Sequence, residues 1–383
     1  MYLEYMKKIV ILGSTGSIGQ SALEVIRTYP EEFKVVGLSA KNNYKLLKEQ
    51  AEEFKVKNIG IENEVHYSIL RKSLPSVKIW TGKDSYTVLT GLPEADLVLS
   101  AIVGIEGLLP TWHAINSYKN VALANKESLV VAGDILMSFA KKKKVKIIPV
   151  DSEHNAIWSI LSFVPKEKLK KIILTASGGP FFKKSISSLK KVTIKEALNH
   201  PTWNMGAKIT VDCATMINKG FEVIEAHHLF GVPYDNIEVI IHPESVIHSL
   251  VQTKDGSYYA KLGQRDMKFP ILSALTEGKI VESRFPTLDL KNLSGLNFFQ
   301  PDLRKFPLLK LSYEVGKKGG IFPAIFAAAD ELAVKNFLKG KISFVEIYRF
   351  IEKRLKKAED LNIPSDITIT DIFEITKDII SSG

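Results

Sequence analysis

Short apolar runs separated by amphipathic stretches dominate the first 150 residues of the chain. Strands that are apolar on both faces are typical of a parallel sheet covered by helices, and the alternation with helical periodicity favours that arrangement here. The runs fall at 8–12, 33–40, 58–61, 77–80, 97–102, 120–124 and 145–150. The pattern predicts an N-terminal doubly wound parallel sheet of the Rossmann type over residues 1–150.

The pattern changes after residue 150. Helices are predicted at 155–163 and 214–229, and strands at 170–175, 209–212, 238–241, 246–252 and 258–262. This mixture predicts a central α+β catalytic domain over 151–276, with a small and mostly antiparallel sheet. Residues 277–306 are irregular and are predicted to be a linker. Apolar residues three and four apart then predict a small C-terminal helical domain over 307–383, with helices at 309–317, 322–338, 343–357 and 370–381.

Composition narrows the class of protein. A chain of 383 residues exceeds one ordinary core, and its 45% hydrophobic and 25% charged content is that of a globular protein. No apolar run approaches the roughly 18–20 residues of a membrane span, and the first strand begins too early to leave room for a signal peptide. Cys213 is the only cysteine, which excludes an internal disulfide. We therefore expect a cytoplasmic protein with no membrane partner.

The net charge of +10 raises the question of an acidic partner. The lysines are scattered along the chain, so no nucleic-acid partner is predicted. The one tight run, Lys141–Lys144, follows a helical stretch whose dipole favours cations at its end. A small phosphorylated substrate also suits a basic protein.

A glycine-rich turn, Gly13-Ser14-Thr15-Gly16-Ser17-Ile18-Gly19, joins the first strand to an amphipathic helix. In that context the backbone N–H groups of the turn and helix N-terminus bind a pyrophosphate, although the spacing differs from the commoner G-x-G-x-x-G. The next strand ends at Lys41-Asn42-Asn43, where NAD-binding folds usually carry an acid. A cation and two amides favour NADP over NAD, unless Lys41 is an ordinary surface lysine.

Polar side chains also follow the last strands of the predicted sheet. If Asp151-Ser152-Glu153 continues the strand, both carboxylates point the same way and need a cation, a shared proton or water. A metal site and an exposed acidic turn are the two alternatives. Lys126 follows the preceding strand on the same edge, where it serves a substrate or nicotinamide, or is simply a surface lysine.

The central domain carries three further candidates. The Ser177-Gly178-Gly179-Pro180 turn is either an anion cradle or an ordinary tight turn. Asn218 and Glu222 share a helix face flanked by Lys219, which is either a ligand set or a solvated face. The polar stretch 182–205, with His200 and Trp203 near its end, is either a lid or a surface connection. A histidine beside a proline, as His200 is, more often has a structural role.

Taken together, these candidates predict an enzyme. Asp151, Glu153 and Glu222 would form an all-oxygen set, which selects Mg²⁺ or Mn²⁺ rather than zinc. Ser177, Asn218 and Lys219 would bind a phosphate. An oxidative decarboxylase would need an arginine cluster, and few arginines lie near these motifs. A non-enzymatic NADP-sensing regulator has no use for three carboxylates around a metal.

Seven stretches carry a resemblance to a known family. They are GSTGSIG (13–19), ALANKES (122–128), VDSEHNAIW (150–158), TASGGPF (175–181), HPTWNMG (200–206), VDCATMINKGFEVIEA (211–226) and HPESVIHS (242–249). In these the chain resembles 1-deoxy-D-xylulose 5-phosphate reductoisomerases. The resemblance implies NADPH-dependent isomerisation and reduction of that small phosphorylated, sugar-like substrate to 2-C-methyl-D-erythritol 4-phosphate, in isoprenoid precursor synthesis. It also implies a homodimer.

The resemblance assigns roles to residues of this chain. Asp151, Glu153 and Glu222 would ligate Mn²⁺ or Mg²⁺, and Lys126 and Ser152 would contact substrate oxygens. Ser177, Asn218 and Lys219 would hold the phosphate, under a lid with His200 and Trp203. The residues expected to contact NADPH are Gly13, Thr15, Gly16, Ser17, Ile18, Asn125, Glu127 and Gly206, with Lys41, Asn42 and Asn43 near its 2′-phosphate.

Cys213 is a departure from this resemblance, because the family usually has a phosphate-binding serine there. A thiol is a weaker donor than a hydroxyl, so this one contact with the phosphate is in question. The sequence does not distinguish Mg²⁺ from Mn²⁺, or a retro-aldol/aldol sequence from a concerted ketol shift.

Overall fold

The computed structural model describes residues 6–201, 205–359 and 367–381 and divides the chain into two compact units. Neither unit is one continuous stretch of chain. The first consists of Met1–Asn125, Leu136–Asn155 and Asp266–Thr287; the second consists of Lys126–Ile135, Ala156–Arg265 and Leu288–Gly383.

The first unit is built on a seven-stranded sheet in which every neighbouring pair is parallel. Its strands are β1 (Lys7–Leu12), β2 (Phe33–Ala40), β3 (Asn58–Ile61), β4 (Lys78–Thr81), β5 (Leu97–Ser100), β6 (Asn120–Leu123) and β7 (Ile147–Pro149). The spatial order β4-β3-β2-β1-β5-β6-β7 reverses direction between β1 and β5. Ligands of doubly wound folds bind at the carboxyl ends of the strands beside such a reversal. The predicted fold is confirmed.

The helices listed next alternate with these strands and then make up much of the second unit. They are α1 (Ser17–Thr28), α2 (Tyr44–Glu53), α3 (Tyr67–Ser73), α4 (Asp84–Thr90), α5 (Leu108–Asn116), α6 (Lys126–Lys143), α7 (Ser152–Leu161), α8 (Ile194–Ala197), α9 (Ala207–Thr215), α10 (Ile217–Phe230), α11 (Lys268–Leu275), α12 (Pro307–Lys318), α13 (Phe322–Leu338), α14 (Glu346–Ala358) and α15 (Ile369–Ser381).

A late segment, Asp266–Thr287, belongs to the first unit, although the sequence divides it between the central domain and the linker. Its helix α11 is apolar on most faces and packs against α1 and the strands β6 and β7. A helix of that composition is stable only when buried. Lys268 fixes it by an ion pair with Glu24, with the nitrogen and oxygen 2.9 Å apart.

The second unit contains a four-stranded sheet and most of the remaining helices. Its strands are β8 (Leu169–Ala176), β9 (Ile237–Ile241), β10 (Ile247–Thr253) and β11 (Tyr258–Leu262), in the order β11-β10-β8-β9. Strand β10 is antiparallel to both neighbours, and β8 is parallel to β9, so the sheet is mostly antiparallel. The helices α12–α15 belong to this same unit, where α12 packs on α10 and α13 on α9.

Two local predictions are wrong. The strand predicted at 209–212 lies within the helix α9, because the packing of α9 on α13 outweighs the strand propensity of its β-branched residues. Asp151 and Glu153 do not share an extended strand, since α7 begins at Ser152 and the Asp151 carbonyl accepts from Asn155 N at 2.8 Å. Asp151 therefore precedes the helix and Glu153 lies in its first turn.

Within the described residues, no helix is both long enough and apolar enough to cross a membrane.

Candidate active site

The glycine-rich turn of the first unit is shaped by close backbone contacts. Gly13 has φ +80°, and a Cβ there would lie 2.7 Å from the Ala101 carbonyl oxygen. A Cβ on Gly19 would lie 2.4 Å from the Gly13 carbonyl oxygen. Any side chain at these two positions would collide with backbone atoms. The turn can therefore lie against the end of β5 only if both residues are glycine. Thr15 and Gly16 precede α1, and Ser17 and Ile18 begin it, where the N–H groups of a helix point at an anion.

The three residues after β2 lie on the same edge of the sheet. The Nζ atom of Lys41 lies 3.4 Å from Glu62 Oε1, and the Oδ1 atom of Asn42 accepts from Asn63 Nδ2 at 3.2 Å. Asn43 caps α2 by accepting from Leu46 N at 3.2 Å. Glu62 and Asn63 follow β3 and were not among the predicted site residues. Their position after a strand of the same sheet was the available signal.

Asn125 has a structural contact in the first unit. Its side chain is 2% exposed and donates from Nδ2 to the Gly104 carbonyl at 2.8 Å. A Cβ on Gly107 would lie 2.6 Å from Asn125 Cγ, so the amide fills the space left by that glycine. The side chain thus fixes the loop after β5.

Asp151, Ser152 and Glu153 form the start of α7. Asp151 Oδ1 accepts from Ser152 N at 3.1 Å, and the Ser152 hydroxyl donates to Glu153 Oε2 at 2.5 Å. The Nδ2 atom of Asn155 donates to the Pro149 carbonyl at 3.0 Å, which ties the helix start to β7. Carboxylates at a helix N-terminus are stabilised in their charged form by the helix dipole. Charged carboxylates on a fixed helix start are suitable ligands for a hard cation.

The second unit places Lys126 and Lys219 around one buried carboxylate, that of Glu222, which is 1% exposed. Lys126 Nζ lies 3.2 Å from Glu222 Oε1 and donates to Asn218 Oδ1 at 2.9 Å. Lys219 pairs with Glu222 Oε2, and Asn218 Nδ2 donates to Oε1 at 2.6 Å. Two ammonium groups therefore lie at the N-terminus of α10, where the backbone N–H groups of the helix also favour an anionic ligand.

Ser177 lies in the loop after β8 of the second unit. Its hydroxyl is 3.1 Å from His200 Nε2 and accepts from Gly179 N at 3.3 Å. Gly179 has φ +65°, and a Cβ there would lie 2.7 Å from the Cys213 carbonyl oxygen, so this loop packs on the end of α9. Burial lowers the pKa of His200, which therefore favours its neutral form.

Cys213 lies at that same end of α9. Burial raises the pKa of its thiol to about 12, against the opposing effect of the Lys126 and Lys219 charges. The thiol is therefore protonated at neutral pH and is a weak hydrogen-bond donor. The second unit brings Lys126, Ser177, His200, Cys213, Asn218, Lys219 and Glu222 into one region.

The described residues of the stretch 182–205 include a 3₁₀ turn, Ser187–Lys191, and the short helix α8, whose Thr193 and Glu196 form a capping box. Trp203 lies outside the described residues, so its predicted place in a lid is untested. Gly206 precedes α9, and its carbonyl accepts from the Thr210 hydroxyl at 2.8 Å.

A buried charge cluster of the second unit was missed by the sequence analysis. Lys208 Nζ lies 2.6 Å from Asp212 Oδ2, 2.8 Å from Asp330 Oδ2 and 3.8 Å from Glu127 Oε1. Three carboxylates face one ammonium group, and burial raises the pKa of both aspartates. The spacing of Lys208 and Asp212 by four was a signal, but Asp330 is too distant in sequence to be linked to them.

Three family models described as those of 1-deoxy-D-xylulose 5-phosphate reductoisomerase match the chain, over residues 9–133, 147–230 and 262–379. The enzyme of that name from Thermodesulfovibrio yellowstonii is 47% identical over 360 residues, which cover 94% of each chain.

Two solved structures have the same overall architecture. The reductoisomerase from Zymomonas mobilis in complex with NADPH is 38% identical, with a TM-score of 0.91 over 98% of this chain and 97% of that one. A reductoisomerase in complex with NADPH, fosmidomycin and magnesium is 37% identical, with a TM-score of 0.92 over the same shares of the two chains.

Proposed function

The chain belongs to the 1-deoxy-D-xylulose 5-phosphate reductoisomerase family, and we propose how its own residues carry out the reaction. It is an NADPH- and metal-dependent enzyme that isomerises and reduces 1-deoxy-D-xylulose 5-phosphate to 2-C-methyl-D-erythritol 4-phosphate. The substrate is small and phosphorylated, and the reaction contributes to isoprenoid precursor synthesis.

The observation that carries the proposal is the charge arrangement around Glu222. Lys126 and Lys219 both contact this one buried carboxylate at the N-terminus of α10, so two ammonium groups and the N–H groups of the helix are available to an anion. We assign the substrate phosphate to Lys219, Asn218 and the Ser177 hydroxyl. Lys126, whose position is fixed by Asn218 and Glu222, contacts a substrate oxygen nearer the reacting carbons, as does Ser152.

The divalent metal is assigned to Asp151, Glu153 and Glu222. Their carboxylate oxygens are the hard donors that Mg²⁺ and Mn²⁺ prefer, so the donor set fits the ion. When bound, the metal would polarise the substrate ketone as a Lewis acid. Ser152 supports this assignment, because its hydroxyl bond to Glu153 orients that carboxylate at the start of α7.

The NADPH site is assigned to the glycine-rich turn and the residues after β2. The turn, Gly13–Ile18, presents backbone N–H groups to the pyrophosphate, and Lys41, Asn42 and Asn43 lie at the 2′-phosphate. Asn125, Glu127 and Gly206 are further proposed contacts of NADPH. Asn125 would act through the loop that it fixes at Gly104.

The stretch 182–205 is assigned to a lid over the substrate, with His200 and Trp203 near its end. Neutral His200 would add a hydrogen bond rather than a charge, and Ser177 orients its ring. Closure of such a segment would exclude water, which protects the aldehyde formed by the rearrangement until hydride transfer.

The test follows the loss of NADPH absorbance with 1-deoxy-D-xylulose 5-phosphate, with and without Mn²⁺, for the wild type and for Glu153→Gln. We expect metal-dependent turnover that Glu153→Gln lowers by about a hundredfold or more, because an amide is a poor ligand for the ion. NADPH binding should be unchanged. Glu167→Gln, a matched change in an exposed 3₁₀ turn, should retain full activity. Turnover that needs no metal would contradict the assignment.

A homodimer and a cytoplasmic location complete the proposal. Strand β11 lies at the edge of its sheet and exposes Tyr258, Tyr259 and Leu262, and an exposed apolar edge is commonly covered by a second subunit. We expect light scattering to give twice the chain mass, and Tyr259→Lys to weaken the association. The free thiol of Cys213 supports a location in the reducing cytoplasm.

A further inference from the structure

The ends of β2 and β3 continue as a short ladder beyond the sheet. Glu62 N donates to the Ala40 carbonyl and Asn63 N to the Lys41 carbonyl, both at 3.0 Å. Residues 62 and 63 are therefore held directly beside residues 41 and 42 on the nucleotide-binding edge. Any group that binds at Lys41 and Asn42 also meets Glu62 and Asn63.

The hydrogen bonds of Asn63 determine which way the Asn42 amide points. Asn63 Oδ1 accepts from Val65 N at 3.2 Å, so its Nδ2 must be the atom that faces Asn42. That Nδ2 donates to Asn42 Oδ1 at 3.2 Å. Since a backbone N–H can only donate, this chain of bonds orients the Asn42 amide with its own NH₂ group available to an anion.

Asn63 makes Asn42 a donor to an anion, whereas Glu62 makes the neighbouring Lys41 less available to one. Its Oε2 accepts from the Tyr86 hydroxyl at 2.7 Å, and its Oε1 lies 3.4 Å from Lys41 Nζ. The side chain of Glu62 is 16% exposed, whereas that of Lys41 is 60% exposed. Tyr86 thus fixes a partly buried carboxylate beside the lysine, and part of the Lys41 charge is already compensated before a ligand arrives.

The two nicotinamide cofactors would respond differently to this arrangement. A 2′-phosphate carries a charge near −2 and must share Lys41 with Glu62. A free ribose 2′-hydroxyl is neutral and can donate to a carboxylate, which is how an acid at this edge serves NAD-binding folds. The first unit thus places a cation typical of NADP sites next to a carboxylate, although that carboxylate follows β3 and the acid of NAD sites usually follows β2.

We propose that Glu62 and Asn63 are specificity-determining residues for the cofactor. Asn63 orients the Asn42 amide as a donor to the 2′-phosphate of NADPH and strengthens the preference for NADPH. Glu62 competes with the 2′-phosphate for Lys41 and lowers the preference for NADPH over NADH. The inference rests on the proposed function only in placing the 2′-phosphate at Lys41 and Asn42.

The experiment compares binding of adenosine 2′,5′-bisphosphate and 5′-AMP to the full chain by calorimetry, because their affinity ratio isolates the 2′-phosphate. Glu62→Gln keeps an acceptor for Tyr86 and should raise that ratio about threefold to tenfold. Asn63→Ser keeps a short acceptor for Val65 N but cannot reach Asn42, and should lower the ratio about threefold. The KM ratio of NADH to NADPH should move in the same two directions.

Two further variants separate the possible failures. Glu64→Gln removes a nearby carboxylate for which no Lys41 contact is found, and should leave the ratio unchanged. An equal response of Glu64→Gln and Glu62→Gln would overturn the pairing role, since a general field effect would explain both. Lys41→Ala should lower the ratio strongly, to the roughly threefold preference that the Asn42 amide still provides. If it does so while Glu62→Gln has no effect, Glu62 is not a determinant. If Lys41→Ala keeps the preference, the 2′-phosphate assignment itself is wrong.

Discussion

In the first unit the edge proposed for the cofactor is shaped by backbone contacts, whereas in the second unit the region proposed for the substrate is held by buried charges. Gly13 and Gly19 leave no room for a Cβ, and Asn125 fills the space above Gly107. The second unit instead buries the Lys126–Glu222–Lys219 group and the Lys208–Asp212–Asp330 cluster. The first unit should therefore respond most to added volume, and the second to changes of charge and pH.

The largest expected effect is that of Lys208→Ala. Removing the one ammonium group would leave Asp212 and Asp330, which are 2% and 0% exposed, facing each other without a cation. Breaking such a buried pair typically lowers the free energy of unfolding by about 3–5 kcal/mol. Chemical denaturation measures this loss.

Lys310→Ala, at a lysine that is 65% exposed and pairs with Glu314 on its own helix, is the matched control and should change stability by less than about 0.5 kcal/mol. Similar losses in both variants would contradict the buried-charge interpretation.

Gly13→Ala should have the next largest effect, and it should act through volume. The new Cβ would meet the Ala101 carbonyl at a positive φ, so we expect a loss of about 1–3 kcal/mol in stability and at least about tenfold in NADPH affinity. Gly256→Ala provides the control. Gly256 also has a positive φ, +92°, but a Cβ there meets nothing within 4 Å, so only the backbone strain of about 1 kcal/mol remains. If Gly13→Ala left NADPH binding unaffected, close backbone contacts would not be what shapes the proposed cofactor edge of the first unit.

A smaller effect is expected from pH acting on the second unit. Because burial raises the pKa of Asp330, its folded form holds a proton more tightly than its unfolded form. Its contribution to stability is therefore complete below the ordinary pKa of an aspartate and is lost as the pH rises through the raised value. Asp330→Asn mimics the neutral acid and should remove that decline in stability, which is at most about 1.4 kcal/mol per pH unit. Urea denaturation over a pH series tests it, and an unchanged slope would contradict the raised pKa.

The smallest expected effect is that of Cys213→Ser. A hydroxyl donates a better hydrogen bond than the neutral thiol, so the KM for substrate should be equal or lower, by about twofold. A higher KM would count against a phosphate contact at this position. Cys213→Ala should raise the KM only slightly if Ser177, Asn218 and Lys219 hold the phosphate.

Local patterns predicted the sheet of the first unit well, because most of its strands are apolar runs followed by a turn. The runs at 33–40 and 58–61 coincide with β2 and β3. The β-branched residues around Val211 misled the same reasoning, since tertiary packing of α9 on α13 outweighs local propensity. The direction of Glu153 was also predicted wrongly, because α7 begins at Ser152 and the alternation of side chains along a strand does not apply there.

Within the candidate site, the contact of Asn218 with Glu222 was predictable, because the two residues are four apart on one helix. Contacts were not predictable where the partners are distant in sequence. Asp330 meets Lys208 only through the packing of α13 on α9, and Glu62 meets Lys41 only through the pairing of β3 with β2. Periodicity carries no information about such pairs.

The late segment Asp266–Thr287 has a consequence for synthesis of the protein. A ribosome that has released residues up to β7 has delivered every strand of the large sheet, but not α11, which packs against β6 and β7. The nascent chain must then wait for more than a hundred further residues before that apolar flank can be covered. During this interval the flank is the surface on which a growing chain would aggregate or recruit a chaperone.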